Sequence, residues 1–221
     1  MSVDSTDKGL LTSENCAVVF IDHQEWMFSG ISDAARRDLI DKLMILAKAA
    51  SIFGVPVILT AARSPDFSGE IIPQLGELFP ELHTIARSSM NAWDCPEFVT
   101  AVRKTGRRNM LVAALWSEAS LVFPALQMME EGYYIYVVWD ASSGTSAGTQ
   151  DVAIRRLEQA GAVSMSAIQV LLELQRDWAR NAHYDDVISV LRAHSDAHDR
   201  GAGRAGISAR KPSGGRRKRH D

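Results

Sequence analysis

Cysteine is scarce in this chain: Cys16 and Cys95 are the only two among 221 residues. Two are too few for a disulfide framework, and no Cys/His cluster has the spacing of a zinc site. Both are expected to be reduced thiols, Cys16 as a small core residue at a strand start. Long apolar runs are also lacking, none approaching the roughly 20 residues of a membrane span. Residues 1–12 are polar and acidic, without the basic-then-apolar pattern of a signal peptide. A soluble, cytoplasmic protein that makes no membrane contact is the expectation. No Gly-rich phosphate fingerprint follows an apolar run and nothing repeats at a fixed period, which argues against a nucleotide site and against a solenoid.

Apolar residues make up 46% of the chain, enough to build the core of one α/β domain. The net charge of −3 conceals two unlike parts. Residues 1–198 are acidic, at about −9. The segment from residue 199 to 221 is rich in Gly, Ser and Arg, with eight Lys/Arg, one Ile and no aromatic, at about +6. Such a segment cannot bury enough apolar surface to order itself. One domain over 1–198 and a basic disordered tail over 199–221 are therefore expected. The tail reads first as solvated; non-specific contact with nucleic acid, or with the acidic body of a neighbouring subunit, is the functional alternative.

Four apolar runs, at 17–21, 55–59, 110–115 and 133–139, are short and nearly continuous rather than alternating, as in strands buried on both faces. Residues 83–87 and 162–165 are weaker strand candidates. Between them lie helical patterns: 32–53, opened by Ser32 and stopped by Gly54; a shorter one from Pro96 to near Gly106; 120–131; and 149–160, capped by Thr149. One or two helices follow Ala167. The β-α-β-α rhythm predicts a three-layer αβα fold, with a doubly wound, mostly parallel sheet covered by helices on both faces.

Chemistry-bearing residues cluster after the strands. Ile21-Asp22-His23-Gln24 follows the first, and Ser117-Glu118-Ala119-Ser120 follows the run at 110–115, with Phe123-Pro124-Ala125-Leu126 behind it. Ala86-Arg87-Ser88-Ser89-Met90-Asn91-Ala92-Trp93 precedes the Pro96 helix, Asp140-Ala141-Ser142-Ser143-Gly144 follows the fifth strand, and Leu171 to Trp178 closes the set. In this order the motifs resemble the isochorismatase-like cysteine hydrolases over residues 14–180, and the Arg-x-x-x-Asn-Ala-Trp segment is similar to the branch typified by the octameric hydrolase YcaC. The resemblance implies six strands in the order 3-2-1-4-5-6, a homo-oligomer, a small-molecule substrate with a C–N amide-type or related bond, and no cofactor. It implies a catalytic set of Asp22, Arg87 and Ser120, the last standing where the family carries its nucleophilic cysteine. Gln24, Asn91, Trp93, Trp116 and Ser117 would wall the substrate pocket, and the backbone N–H groups of Trp116 and Ser120 would hold an oxyanion, helped by a non-proline cis peptide between Leu115 and Trp116. Glu118 would orient the turn or meet another subunit. No metal is expected, since residues 63–68 lack the histidine that the nicotinamidase branch uses after its second strand.

In that order the first and fourth strands are neighbours whose crossovers leave in opposite directions, so a crevice opens at their carboxyl ends. Asp22 and Ser120 both belong there, the serine near a helix start where N–H groups favour a developing negative charge. His23, next to Asp22 on an extended strand, should point to the opposite face. A carboxylate can help ionise a thiol, whereas an aliphatic alcohol is far more basic and normally needs a histidine-like base. Three readings follow: Asp22 acting on water or a vinyl ether without a cysteine, slow acyl transfer through Ser120, or an inactive relative that binds a small molecule or serves as a structural oligomer. Cys95, before Pro96 at a helix start where a thiolate would be stabilised, is a candidate substitute nucleophile, but its reading as an ordinary turn cysteine is favoured.

Overall fold

The computed structural model describes residues 9–64, 69–179 and 181–201. Six strands, β1 (Cys16–Ile21), β2 (Val57–Ala62), β3 (Ile85–Arg87), β4 (Asn109–Ala114), β5 (Tyr134–Val138) and β6 (Val163–Met165), form one sheet in the order β3-β2-β1-β4-β5-β6, parallel throughout. The helices are α1 (Asp33–Phe53), α2 (Pro73–Leu78), α3 (Pro96–Lys104), α4 (Val122–Glu130), α5 (Ala147–Ala160), α6 (Ala167–Gln175) and α7 (Tyr184–Gly201). This is the three-layer, doubly wound arrangement expected.

The continuous apolar runs have the cause inferred for them. In β1, Cys16, Val18 and Phe20 face the layer of α1, α6 and α7, while Ala17, Val19 and Ile21 face that of α3, α4 and α5. β4 divides likewise, with Leu111 and Ala113 on one side and Met110, Val112 and Ala114 on the other. Successive strand side chains alternate between faces, so a strand covered on both must be apolar at every position. Central β1 pairs with β2 (Val18↔Val57) and β4 (Val18↔Leu111), which puts the ends of β1 and β4 side by side.

Local signals mostly set the helix limits. Ser32 accepts a hydrogen bond from the Ala35 N–H and Gly54 closes α1 at φ 63°. Two starts differ from expectation. Helix α5 is capped by Ser146: its Oγ accepts from Thr149 N at 3.2 Å, while Thr149 Oγ1 accepts from Ser146 N at 2.9 Å. Thr149 is thus the reciprocal partner of the cap. Helix α4 begins at Val122, after a π-helical turn over Ser117–Leu121 that takes in Ser120. Helix α7 carries the chain to Gly201, and the basic stretch of residues 202–221 lies outside the described residues. No helix among the described residues is long and apolar enough to cross a membrane.

Candidate active site

Asp22 leaves β1 with its backbone in the left-handed region, at φ 60°. Non-glycine residues rarely adopt this conformation, and those that do often have functional roles. Its N–H donates to Thr60 O at 2.9 Å. The carboxylate is buried and fully engaged: Oδ1 accepts from Ala62 N at 2.7 Å, and Oδ2 accepts from Arg87 Nη2 at 2.5 Å and from Ser120 Oγ at 2.6 Å. Arg87 reaches it from β3, across the end of β2. Its register partner on β2 is Ala62, whose side chain is only a methyl group, and Asp22 at the end of β1 lies two strand spacings of about 4.8 Å away. Arg87 Nη1 donates to the Ser89 carbonyl. Both side chains of this ion pair are 1% exposed. At that depth a carboxylate or guanidinium is sustained only by a charged, hydrogen-bonded partner.

Ser120 is brought to Asp22 by the turn after β4. Trp116 takes φ 57°, reversing the chain, and its carbonyl accepts the N–H groups of Ala119 (2.9 Å) and Ser120 (3.0 Å). Ser117 N donates to Ser143 O at 3.0 Å, and the Glu118 carboxylate accepts from Thr145 N and Oγ1, at 3.1 and 2.5 Å. Glu118 therefore fastens the turn to the loop after β5. Two expectations are corrected here. No cis peptide occurs among the described residues, because the left-handed Trp116 makes the kink instead. The Ser120 N–H is committed within the turn, so it is not a spare donor for an oxyanion.

The remaining expected pocket residues separate. Trp116 is half-buried, edge-on to Trp26 with ring centroids 5.4 Å apart. Ser117 is fully buried, and its Oγ has no hydrogen-bond partner among the described residues. Gln24 is a clamp rather than a pocket wall: its Nε2 donates to Ala62 O (3.0 Å) and Gly69 O (2.7 Å), and its Oε1 accepts from Ala62 N (3.1 Å). Trp93 packs on Phe98 and Tyr133 and donates from Nε1 to Glu131 at 2.8 Å. Glu131 lies eleven residues beyond Ser120, about 16 Å along a helix at 1.5 Å per residue, so Trp93 belongs to the core at the other end of α4. Asn91 caps the turn before α3, accepting from Trp93 N, and donates to Gln127 on α4 at 2.7 Å. Cys95 starts α3, apart from the triad.

His23 turns to the face of Phe20 rather than that of Ile21, because β1 ends at Ile21 and the left-handed Asp22 breaks the alternation of an extended strand. Its ring is edge-on to Phe20, Nε2 meets the Ala141 carbonyl at 3.0 Å, and burial pulls its pKa down to about 4. It is a structural tie to the loop after β5 and no base for Ser120. Burial pushes the Cys16 thiol up to about 12, which leaves it inert. No group of three His, Cys, Asp or Glu among the described residues could hold a metal. The contributions not foreseen come from the backbone, the Ala62 N–H and the Ser89 carbonyl, and from Ser142. The Ser142 hydroxyl accepts from Ala114 N and donates to Val138 O, joining the ends of β4 and β5.

The arrangement can polarise a hydroxyl: a buried carboxylate, held by a permanent cation, faces the Ser120 proton at hydrogen-bond distance.

Comparison with known proteins places this geometry among relatives. Residues 16–169 match the family model of the isochorismatase domain. Probable hydrolase YcaC of Escherichia coli (strain K12) is 37% identical over 169 residues, covering 76% of this chain and 81% of that protein. Among solved structures, E. coli YcaC, described as an octameric hydrolase of unknown specificity, superposes with a TM-score of 0.74 at 32% identity, over 86% of this chain and 98% of the other. YcaC from Pseudomonas aeruginosa, seen with hexane-2,5-diol and covalent acrylamide, gives 0.74 at 31% identity over the same shares.

Proposed function

The chain belongs to the isochorismatase family and is a hydrolase of YcaC type, and from that premise we propose that it cleaves a C–N amide-type bond of a small molecule through Asp22, Arg87 and Ser120. The observation that carries this reading is the shared Oδ2 of Asp22, which accepts from Ser120 Oγ and from Arg87 Nη2. In the proposed reaction, Ser120 Oγ bonds to the carbonyl carbon as its proton passes to Asp22. The C–N bond then breaks, the proton returns on the leaving nitrogen, and water hydrolyses the resulting ester. Arg87 keeps its charge throughout and holds the carboxylate in place. With an alcohol where the family carries a thiol, turnover is slow. The octameric state of E. coli YcaC supports a homo-oligomer, and we assign the protein to the cytoplasm.

A second reading, binding or scaffolding without turnover, is favoured by the clamping of Asp22, whose oxygens already accept three hydrogen bonds including one from a fixed cation. A screen of small amides and esters on the wild-type, Asp22→Asn and Ser120→Cys proteins separates the two. Wild-type hydrolysis abolished by Asp22→Asn supports the enzyme. Hydrolysis that emerges only with Ser120→Cys supports the binder.

A further inference from the structure

Positive charge collects at the opposite end of the sheet. Although residues 1–198 are acidic overall, residues 103–108 read Arg-Lys-Thr-Gly-Arg-Arg. The three arginines of this stretch, Arg103, Arg107 and Arg108, line a cavity of about 420 Å³ together with Gly106, Glu131 and Tyr133. That volume lies in the range of small-ligand sites. Glu131 is the one carboxylate among the lining residues, and both of its oxygens are taken: Oε2 accepts from Arg103 Nη2 at 2.9 Å and Oε1 from Trp93 Nε1 at 2.8 Å. Arg108 rests over the Tyr133 ring, 5.2 Å from its centroid, and touches only the Glu131 carbonyl, at 3.2 Å. Arg107 Nε is enclosed and has no acceptor among the described residues.

Cations in the last turn of a helix are ordinary, and that accounts for Arg103 and Lys104 at the end of α3. It does not account for Arg107 and Arg108, which follow Gly106. That glycine, at φ 66° with open space where a Cβ would stand, turns the chain and leaves the cavity unfilled. A phosphoryl group, with several oxygens matched to guanidinium forks, is the anion whose chemistry suits three arginines around one cavity. We infer that this cavity at the amino ends of β4 and β5 binds a small phosphate-bearing anion. The site is distinct from the Asp22–Ser120 crevice, separated from it by the length of β4, about 20 Å at 3.3 Å per residue.

The test is titration calorimetry of the full-length protein with inorganic phosphate, pyrophosphate and glycerol phosphate, at ionic strength matched with sodium chloride. Saturable binding of at least one is expected, weakened about tenfold or more by Arg107→Gln and by Arg108→Gln, as the loss of a charge-assisted hydrogen bond implies. Tightest binding of inorganic phosphate would identify free phosphate as the ligand, and tightest binding of glycerol phosphate a phosphorylated metabolite. Arg103→Gln removes an exposed side chain and should weaken binding while leaving the far-ultraviolet circular dichroism unchanged, which keeps the test decisive if Arg107→Gln fails to fold. No saturable heat with any of the three anions would overturn the inference. So would undiminished binding in the folded variants, which would seat the anion elsewhere, the basic C-terminal segment included.

Discussion

Under the proposed function Ser120 holds the place of the family's cysteine, within hydrogen-bond distance of Asp22, which Arg87 holds in turn. Asp22 is placed to accept a thiol proton, and the Arg87 guanidinium beside it would favour the thiolate left behind, so restoring sulfur should restore reactivity. Ser120→Cys, in a Cys16→Ala, Cys95→Ala background, should be alkylated by iodoacetamide at neutral pH faster than free cysteine, as followed by intact mass. Adding Asp22→Asn should remove the advantage, and labelling no faster than free cysteine would count against an intact, disarmed site. His23 bears on stability instead. Its folded pKa of about 4 lies below the ordinary 6.5, so above pH 6.5 the ring is neutral in both states and no stability is lost. As pH falls from 6.5 towards 4 the unfolded chain takes up the proton first, and on the order of 3 kcal/mol is lost across that window. Urea denaturation at pH 7 and pH 4.5 should show a larger drop for the wild type than for His23→Gln; equal drops would mean that other groups carry the acid sensitivity.

At the scale of elements, the loops at the carboxyl ends of β4 and β5 act as one piece. Glu118 holds Thr145, Ser117 holds Ser143, and Gly144 sits where a Cβ would come within 2.8 Å of Gln150 N and 2.9 Å of Glu118 Oε2 and Thr149 Oγ1. Gly144→Ala should therefore destabilise the fold by about 1–3 kcal/mol and loosen the turn that presents Ser120; a thermal unfolding temperature equal to the wild type would show that the loop yields freely. The same elements mark what is legible in the sequence. Strands covered on both faces announce themselves as unbroken apolar runs, and Asp22, Arg87 and Ser120 stand out because each closely follows or ends a strand. Helix α2 escaped notice because six residues with one buried side chain, Leu75, make too short a period to detect. Trp93 and Gln24 were misplaced because an aromatic or an amide serves a core or a clamp as readily as a pocket. The Ala62 N–H has no signature in any side chain.

At the scale of the whole molecule, large apolar side chains remain exposed on the isolated chain, Leu10, Met90, Trp139, Leu172 and Trp178 among them. They fit a protein that assembles with itself, and light scattering should return a multiple of the chain mass; a monomer at micromolar concentration would argue against assembly. The central place of β1 has a consequence for biosynthesis. The strand made first needs β4 on one flank, so a nascent chain must wait for some ninety further residues before that edge is closed. Until Asn109–Ala114 leaves the ribosome, the β3-β2-β1 half-sheet ends in a wholly apolar strand with free N–H and C=O groups, a template for pairing with other chains. A fragment ending at Thr105 should accordingly be insoluble on expression, whereas one ending at Gly201, with every strand paired, should be recovered folded. Slowed translation between β1 and β4 should lower the yield of soluble protein more than the same delay placed after β5.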